Sequence, residues 1–244
     1  MHGTPVEPGK PLTKDHDGPD RSYNWSFCSV IGMLNYLCGT RPDILYSVHQ
    51  CSRFCNNLRL SHEKAIKQII RYLKCTPNEG IILHPDSSKG LPCFVDADFA
   101  NGWNSSDCEE PSIVYTEAEY ITLSQAMREL IPVIGILEEL IPVLHLNKDQ
   151  PRVFWKSCGW DDHSNNLVAN SYEDNAGAYE LAKAPKMRPR TKHIALKYHH
   201  FWGHVSNGTI KINLIGTKDQ IADIFTKALD KSSFTHLRQL LCGW

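Results

Sequence analysis

The hydrophobic pattern of the chain turns from wholly helical to mixed after residue 80, and that change limits what the chain can fold into. Before it, apolar residues recur at three- and four-residue steps, the spacing of one helix face. Residues 23–38 carry Val30, Ile31, Met33, Leu34 and Leu37 in this way, and residues 61–74 carry Ala65, Ile66, Ile69, Ile70 and Leu73. Between them Gly39 and Thr40 interrupt, and Pro42 suits the first turn of a helix running to about residue 55. After residue 80 short strand-like runs (81–83, 91–98, 153–155, 209–215) alternate with helical ones (116–130, continued past Pro132 to about 146, then 175–184, 193–205, 220–229 and 233–241). Three helices followed by a strand–helix alternation predict an α/β or α+β domain behind a helical extension. Residues 1–22, rich in Pro, Gly and charge, read as a flexible lead-in. Residues 157–170 have no period and read as an insertion.

Charge excludes one simple reading. With 26 Lys and Arg against 27 Asp and Glu, the net charge is −1, so any surface for nucleic acid must be local. The stretch 183–197 is such a place: Lys183, Lys186, Arg188, Arg190, Lys192 and Lys197 stand there without an acid. It is equally readable as a solvated loop. The nine cysteines include no CxxC pair, and Cys51 and Cys55, four apart, suit a buried helix face better than zinc. No secretory leader pattern and no run of 18 apolar residues is seen, so the thiols are expected reduced, the location intracellular (cytoplasmic or nuclear), and no membrane is expected as a partner.

Four acids stand at or near element ends. Asp96 closes an apolar strand in CFVDADFA, Glu119 lies one turn into a helix in YTEAEYITL, Asp174 opens a helix in YEDNAGA, and Asp223 sits in the first turns of one in DQIADIFTKAL. Carboxylates drawn from separate elements repel unless cations neutralise them, and all-oxygen sites suit Mg²⁺. Taken singly, each is equally a helix-dipole or turn acid. His193, His200 and His204 share one side of a predicted helix, as a polar face or a metal site. No GxSxG and no phosphate-loop word occurs.

The surrounding words resemble those of a known family. TRPDILYSVHQCSRF, HEKAIKQIIRYLKCTPNEGI, VDADFA, TEAEYITLSQAMREL, EDNAGAYELAKAP, RTKHIALKYHHF and TKDQIADIFTKAL are similar, in order, to the end of the copia-type retrotransposon Pol polyprotein. The resemblance implies a helical region following the polymerase palm over residues 23–80. A ribonuclease H-like mixed sheet with flanking helices comes next over 81–230, and a C-terminal helix or tail over 231–244. It implies that Asp96, Glu119, Asp174 and Asp223 hold two Mg²⁺ ions and hydrolyse the RNA strand of an RNA–DNA hybrid. Lys186, Arg188, Arg190, Lys192 and His193 become the expected phosphate contacts, and the remainder of the Pol polyprotein an expected partner.

Two departures accompany it. Only 23 positions separate Asp96 from Glu119, too few for the two further strands of the family, so the sheet is expected incomplete with one edge of its first strand unpaired. The stretch SCGWDDHSNNLVANSY intervenes before EDNAGA. No YxDD-type polymerase word is present. These breaks predict a degenerate domain without ribonuclease activity; the alternatives are a non-catalytic module that binds nucleic acid or polymerase, and a relic without function.

Overall fold

The computed structural model describes residues 3–9, 12–13, 18–19, 25–56, 58–82, 91–97, 111–143, 160–161, 166–183 and 196–244. In chain order, α1 (Phe27–Leu37) leads through a 3-10 turn (Pro42–Ile44) into α2 (Leu45–Ser52) and α3 (Leu60–Cys75). Then come β1 (Leu91–Phe94), α4 (Pro111–Val143), β2 (Trp160–Asp161), β3 (Asn166–Leu167), β4 (Ala169–Glu173) and α5 (Ala176–Lys183). A second 3-10 turn (Leu196–His199), α6 (Trp202–Ser206), β5 (Ile210–Leu214), α7 (Asp223–Thr226) and α8 (Lys231–Cys242) complete the order. The chain divides into two compact units, Met1–His84 with Ile221–Trp244, and Pro85–Gln220.

The first unit is helical. The apolar stripes of α1, α2 and α3 bury Phe27, Ile31, Leu34, Val48, Ile66 and Ile69 together, and Ile224, Phe234 and Leu237 join the same core. A buried polar network sits at its edge. Arg41 Nε and Nη2 donate to the two carboxylate oxygens of Asp43 at 2.9 Å each, and its guanidinium also donates to Thr76 O and Oγ1 at 2.8 Å. Tyr72 Oη donates to Asp43 Oδ2 at 2.6 Å, and Arg238 of α8 donates to Tyr72 Oη at 3.3 Å. The TRPDI word thus serves as a staple between the first 3-10 turn, α3 and α8.

Three details of this unit are not written in its helical period. The described residues of the lead-in are tied to α3: Gln68 Nε2 donates to Thr4 O, Leu60 N donates to Pro19 O, and His62 Nε2 reaches Thr13 O at 2.8 Å. Because Arg59 N donates to His62 Nδ1, the proton of that ring is on Nε2 and Thr13 O accepts it. Residues 81–82, read as strand, form none; Ile82 N instead donates to Cys242 O at 2.8 Å. The stretch from Ile221 onward groups with the first unit. Periodicity marks α8 as amphipathic but does not say which core receives it.

The second unit carries a parallel three-stranded sheet in the order β1-β4-β5, with Leu91 opposite Ala169 and Glu173 opposite Leu214. The α/β class expected from the sequence is therefore the class observed. Tyr120, Leu123, Met127 and Leu130 of α4 pack with Ala178 and Ala182 of α5, Phe201, and Val95, Ile210 and Ile212 of the sheet. The central strand is ANSYE, at the end of the stretch read as an insertion. Its alternation is legible only in burial, Ala169, Ser171 and Glu173 being inside, because two of the three are polar. The strand expected at 153–155 lies outside the described residues. Pro132 does not interrupt α4, which runs 33 residues; it sits on the exposed face of the helix. The helix expected over 193–205 is split into the 3-10 turn Leu196–His199 and α6, and the one expected over 220–229 is reduced to α7. Among the described residues β1 has β4 as its one strand partner.

Candidate metal centre

The C-terminal ends of β1 and β4 lie side by side, and parallel pairing brings the residues after each strand to the same end of the sheet. Val95 N donates to Tyr172 O at 3.1 Å, carrying the ladder one residue past β1, and Gln220 Nε2 donates to Val95 O at 2.8 Å. Asp96 comes next, 7% exposed. Asp174 directly succeeds β4, half-buried, and one carboxylate oxygen of each residue lies within 4.8 Å of the other. Glu119 comes from α4, is 9% exposed, and its Oε2 accepts from Ala97 N at 2.8 Å. Three of the four acids singled out in the sequence are therefore brought to one end of one unit, from two strands and a helix.

The helix after Asp174 is locally specified. Asn175 Oδ1 accepts from Gly177 N and Ala178 N at 2.9 and 3.1 Å, the satisfaction of orphan amides that starts a helix. Gly177 leaves room for α4: a Cβ there would stand 2.7 Å from Thr116 Cγ2.

One acid of the site went unread. Glu173, the last residue of β4, is fully buried; its Oε1 accepts from Asn175 N at 3.1 Å and its Oε2 has no hydrogen-bond partner. Burial pushes its carboxyl up to about 8, opposed by the Asn175 amide and reinforced by the charges of Glu119, Asp174 and Asp96. The signal available beforehand was the double acid in YEDN, read as one functional acid and one neighbour.

Asp223 belongs to the first unit. It begins α7, is 4% exposed, and its Oδ1 takes the Lys227 ammonium at 2.7 Å. The expected phosphate contacts Lys186, Arg188, Arg190, Lys192 and His193 lie outside the described residues, as does the histidine that would begin the His-rich face. His199 and His200 reach α4: His199 Nδ1 meets Tyr120 Oη at 2.6 Å and its ring stacks on Trp202, while His200 Nδ1 lies 3.4 Å from Ser124 Oγ. The cysteines among the described residues are free thiols.

Comparison with known proteins agrees with the motif words. The chain is 30% identical over 95% of its length to the retrovirus-related Pol polyprotein from transposon RE1 of Arabidopsis thaliana. It is likewise 30% identical over 95% to that from transposon RE2 of the same plant, and 28% identical over 88% to that from transposon TNT 1-94 of Nicotiana tabacum. It spans 16% of the length of each of these curated relatives. No protein-family model and no solved structure matches it. No described helix is long and apolar enough to cross a membrane. Colinear kinship over nearly all of its residues places the chain among the retrovirus-related Pol polyproteins of transposons, as a copia-type Pol fragment.

Proposed function

We propose that the second unit is a shortened ribonuclease H-like domain whose acids hold divalent cations, and that its chemistry is hydrolysis of the RNA strand of an RNA–DNA hybrid. The observation that carries this is the meeting of Asp96, Glu119 and Asp174 at one end of the β1–β4 pair. The donor set fits a hard cation: it is all carboxylate, nearly all buried, and includes a buried Glu173 oxygen without a partner. Asp223 joins the proposal on its motif alone, as the fourth acid.

When bound, a pair of Mg²⁺ ions supplies Lewis-acid charge for the attack of water on a phosphodiester and the departure of the 3′ oxygen. The chain's own part is to position. The Ala97 amide orients the Glu119 carboxylate, Gln220 fixes the backbone beside Asp96, and the Asn175 turn sets Asp174 at the strand end. The hybrid would be read by shape and phosphate contacts, with the basic run 183–197 as the contributing segment. The remainder of the Pol polyprotein is the partner proposed for the first unit.

The short path from Asp96 to Glu119 favours weak cleavage or none, and it supports a second reading: a module that binds the hybrid without cutting it. Hydrolysis of a labelled hybrid in Mg²⁺, wild type against Asp96→Asn, decides. Metal-dependent cleavage lost in the variant supports the nuclease. Hybrid binding without metal-dependent cleavage supports the module.

A further inference from the structure

We infer that Glu173 is a fifth acid of the cation site, a positioning residue whose Oε2 accepts from the hydration shell of the bound ion. The inference rests on the cation-binding reading above and adds a residue to its acids. Glu173 has no exposed surface, and the Asn175 amide pins one of its oxygens. The other oxygen is buried without a hydrogen-bond donor. A buried carboxylate oxygen left in this way is destabilising unless something supplies a donor or a charge.

The surroundings say what the donor is. The charges of Glu119, Asp174 and Asp96, all of its own sign, act on Glu173. A partnerless carboxylate oxygen buried beside Asp96, Glu119 and Asp174 is complementary to a hydrated divalent cation. Its waters are strong donors, and its charge reverses the mutual repulsion. Groups that hold the waters or ligands around a metal typically change its affinity by about 10- to 100-fold when removed. Glu173→Gln keeps the shape and the Asn175 contact while removing the charge.

The test is calorimetric titration of the full chain with MnCl₂ and MgCl₂, for wild type, Glu173→Gln and Asp174→Asn, beside melting in a chelator. Glu173→Gln is expected to bind Mn²⁺ about tenfold more weakly, to melt higher than wild type in the chelator, and to gain less from added metal. These opposite shifts separate it from a residue that only supports the fold, whose loss lowers both melts. Wild-type affinity in a Glu173→Gln protein that melts cooperatively overturns the inference and leaves the cation site standing. A wild-type chain that binds neither ion overturns both. If Glu173→Gln does not melt cooperatively, Glu173→Asp replaces it, with unchanged affinity again the overturning result.

Discussion

Gly177 and Thr116 come from different sequence words and meet where α5 crosses the start of α4. Alanine at 177 would normally favour a helix by about 1 kcal/mol. Here the added carbon faces Thr116 Cγ2 at 2.7 Å and Oγ1 at 2.9 Å, so rotating the threonine only exchanges one clash for the other. Gly177→Ala is therefore expected to destabilise the second unit by about 1–3 kcal/mol. The same change in a Thr116→Ala background should be neutral or stabilising; urea melts of the four proteins measure the coupling, and a higher melting point for Gly177→Ala alone contradicts the argument. Glu173 offers a prediction in pH. Its folded carboxyl is pushed up to about 8, well above its ordinary value, because burial and three neighbouring acids disfavour the charge. Between roughly pH 4.5 and 8 the unfolded chain has released this proton while the folded chain retains it. Stability in chelator should therefore fall as pH rises through that window and level off above it. Glu173→Gln should remove most of the decline, and an equally steep decline in the variant would show that another group causes it.

At the scale of elements, the staple around Asp43 shows how a loop word acts through packing. Asp43 is 1% exposed and Arg41 4%, and the pair joins a 3-10 turn to the end of α3 through Thr76 and to α8 through Tyr72 and Arg238. Burial, then Asp43, pushes the Tyr72 hydroxyl above its ordinary range. Asp43→Ala leaves the Arg41 guanidinium buried without its carboxylate and is expected to remove about 3–5 kcal/mol from the first unit. Urea denaturation measures this; a loss under about 1 kcal/mol would mean that water replaces the carboxylate. The elements also differ in how plainly they were written. The α3 helix was readable because Ile66, Ile69 and Leu73 repeat its period over a continuous stretch, and Pro42 marked the turn that leads into α2. The β4 strand was hidden because its inward residues, Ala169, Ser171 and Glu173, include one small apolar side chain and two polar ones. Its place between two parallel neighbours, supplied by distant segments, makes it a strand.

At the scale of the molecule, the first unit is discontinuous. Residues from Ile221 to Trp244 complete a core begun by α1, α2 and α3, with Phe234 4% and Leu237 2% exposed. Truncating such side chains costs about 2–5 kcal/mol each, and a domain's whole stability is about 5–15 kcal/mol. A chain ending at Leu229 should therefore lose amide-exchange protection throughout α1, α2 and α3 while β1, β4 and β5 keep theirs. Protection retained in α3 would show that the N-terminal helices suffice alone.

Kinship to transposon Pol polyproteins, the α/β class, most helices and three acids of one cluster were determined by local words and periods. Each of these depends on residues close together in the chain, where spacing is information. The tertiary structure alone decided that the apparent insertion supplies the middle strand, that the C-terminal helix closes the N-terminal core, and that Glu173 sits inside the acidic cluster. All three depend on which distant segment becomes a neighbour, and burial by such a neighbour leaves no trace in a residue's own surroundings along the chain.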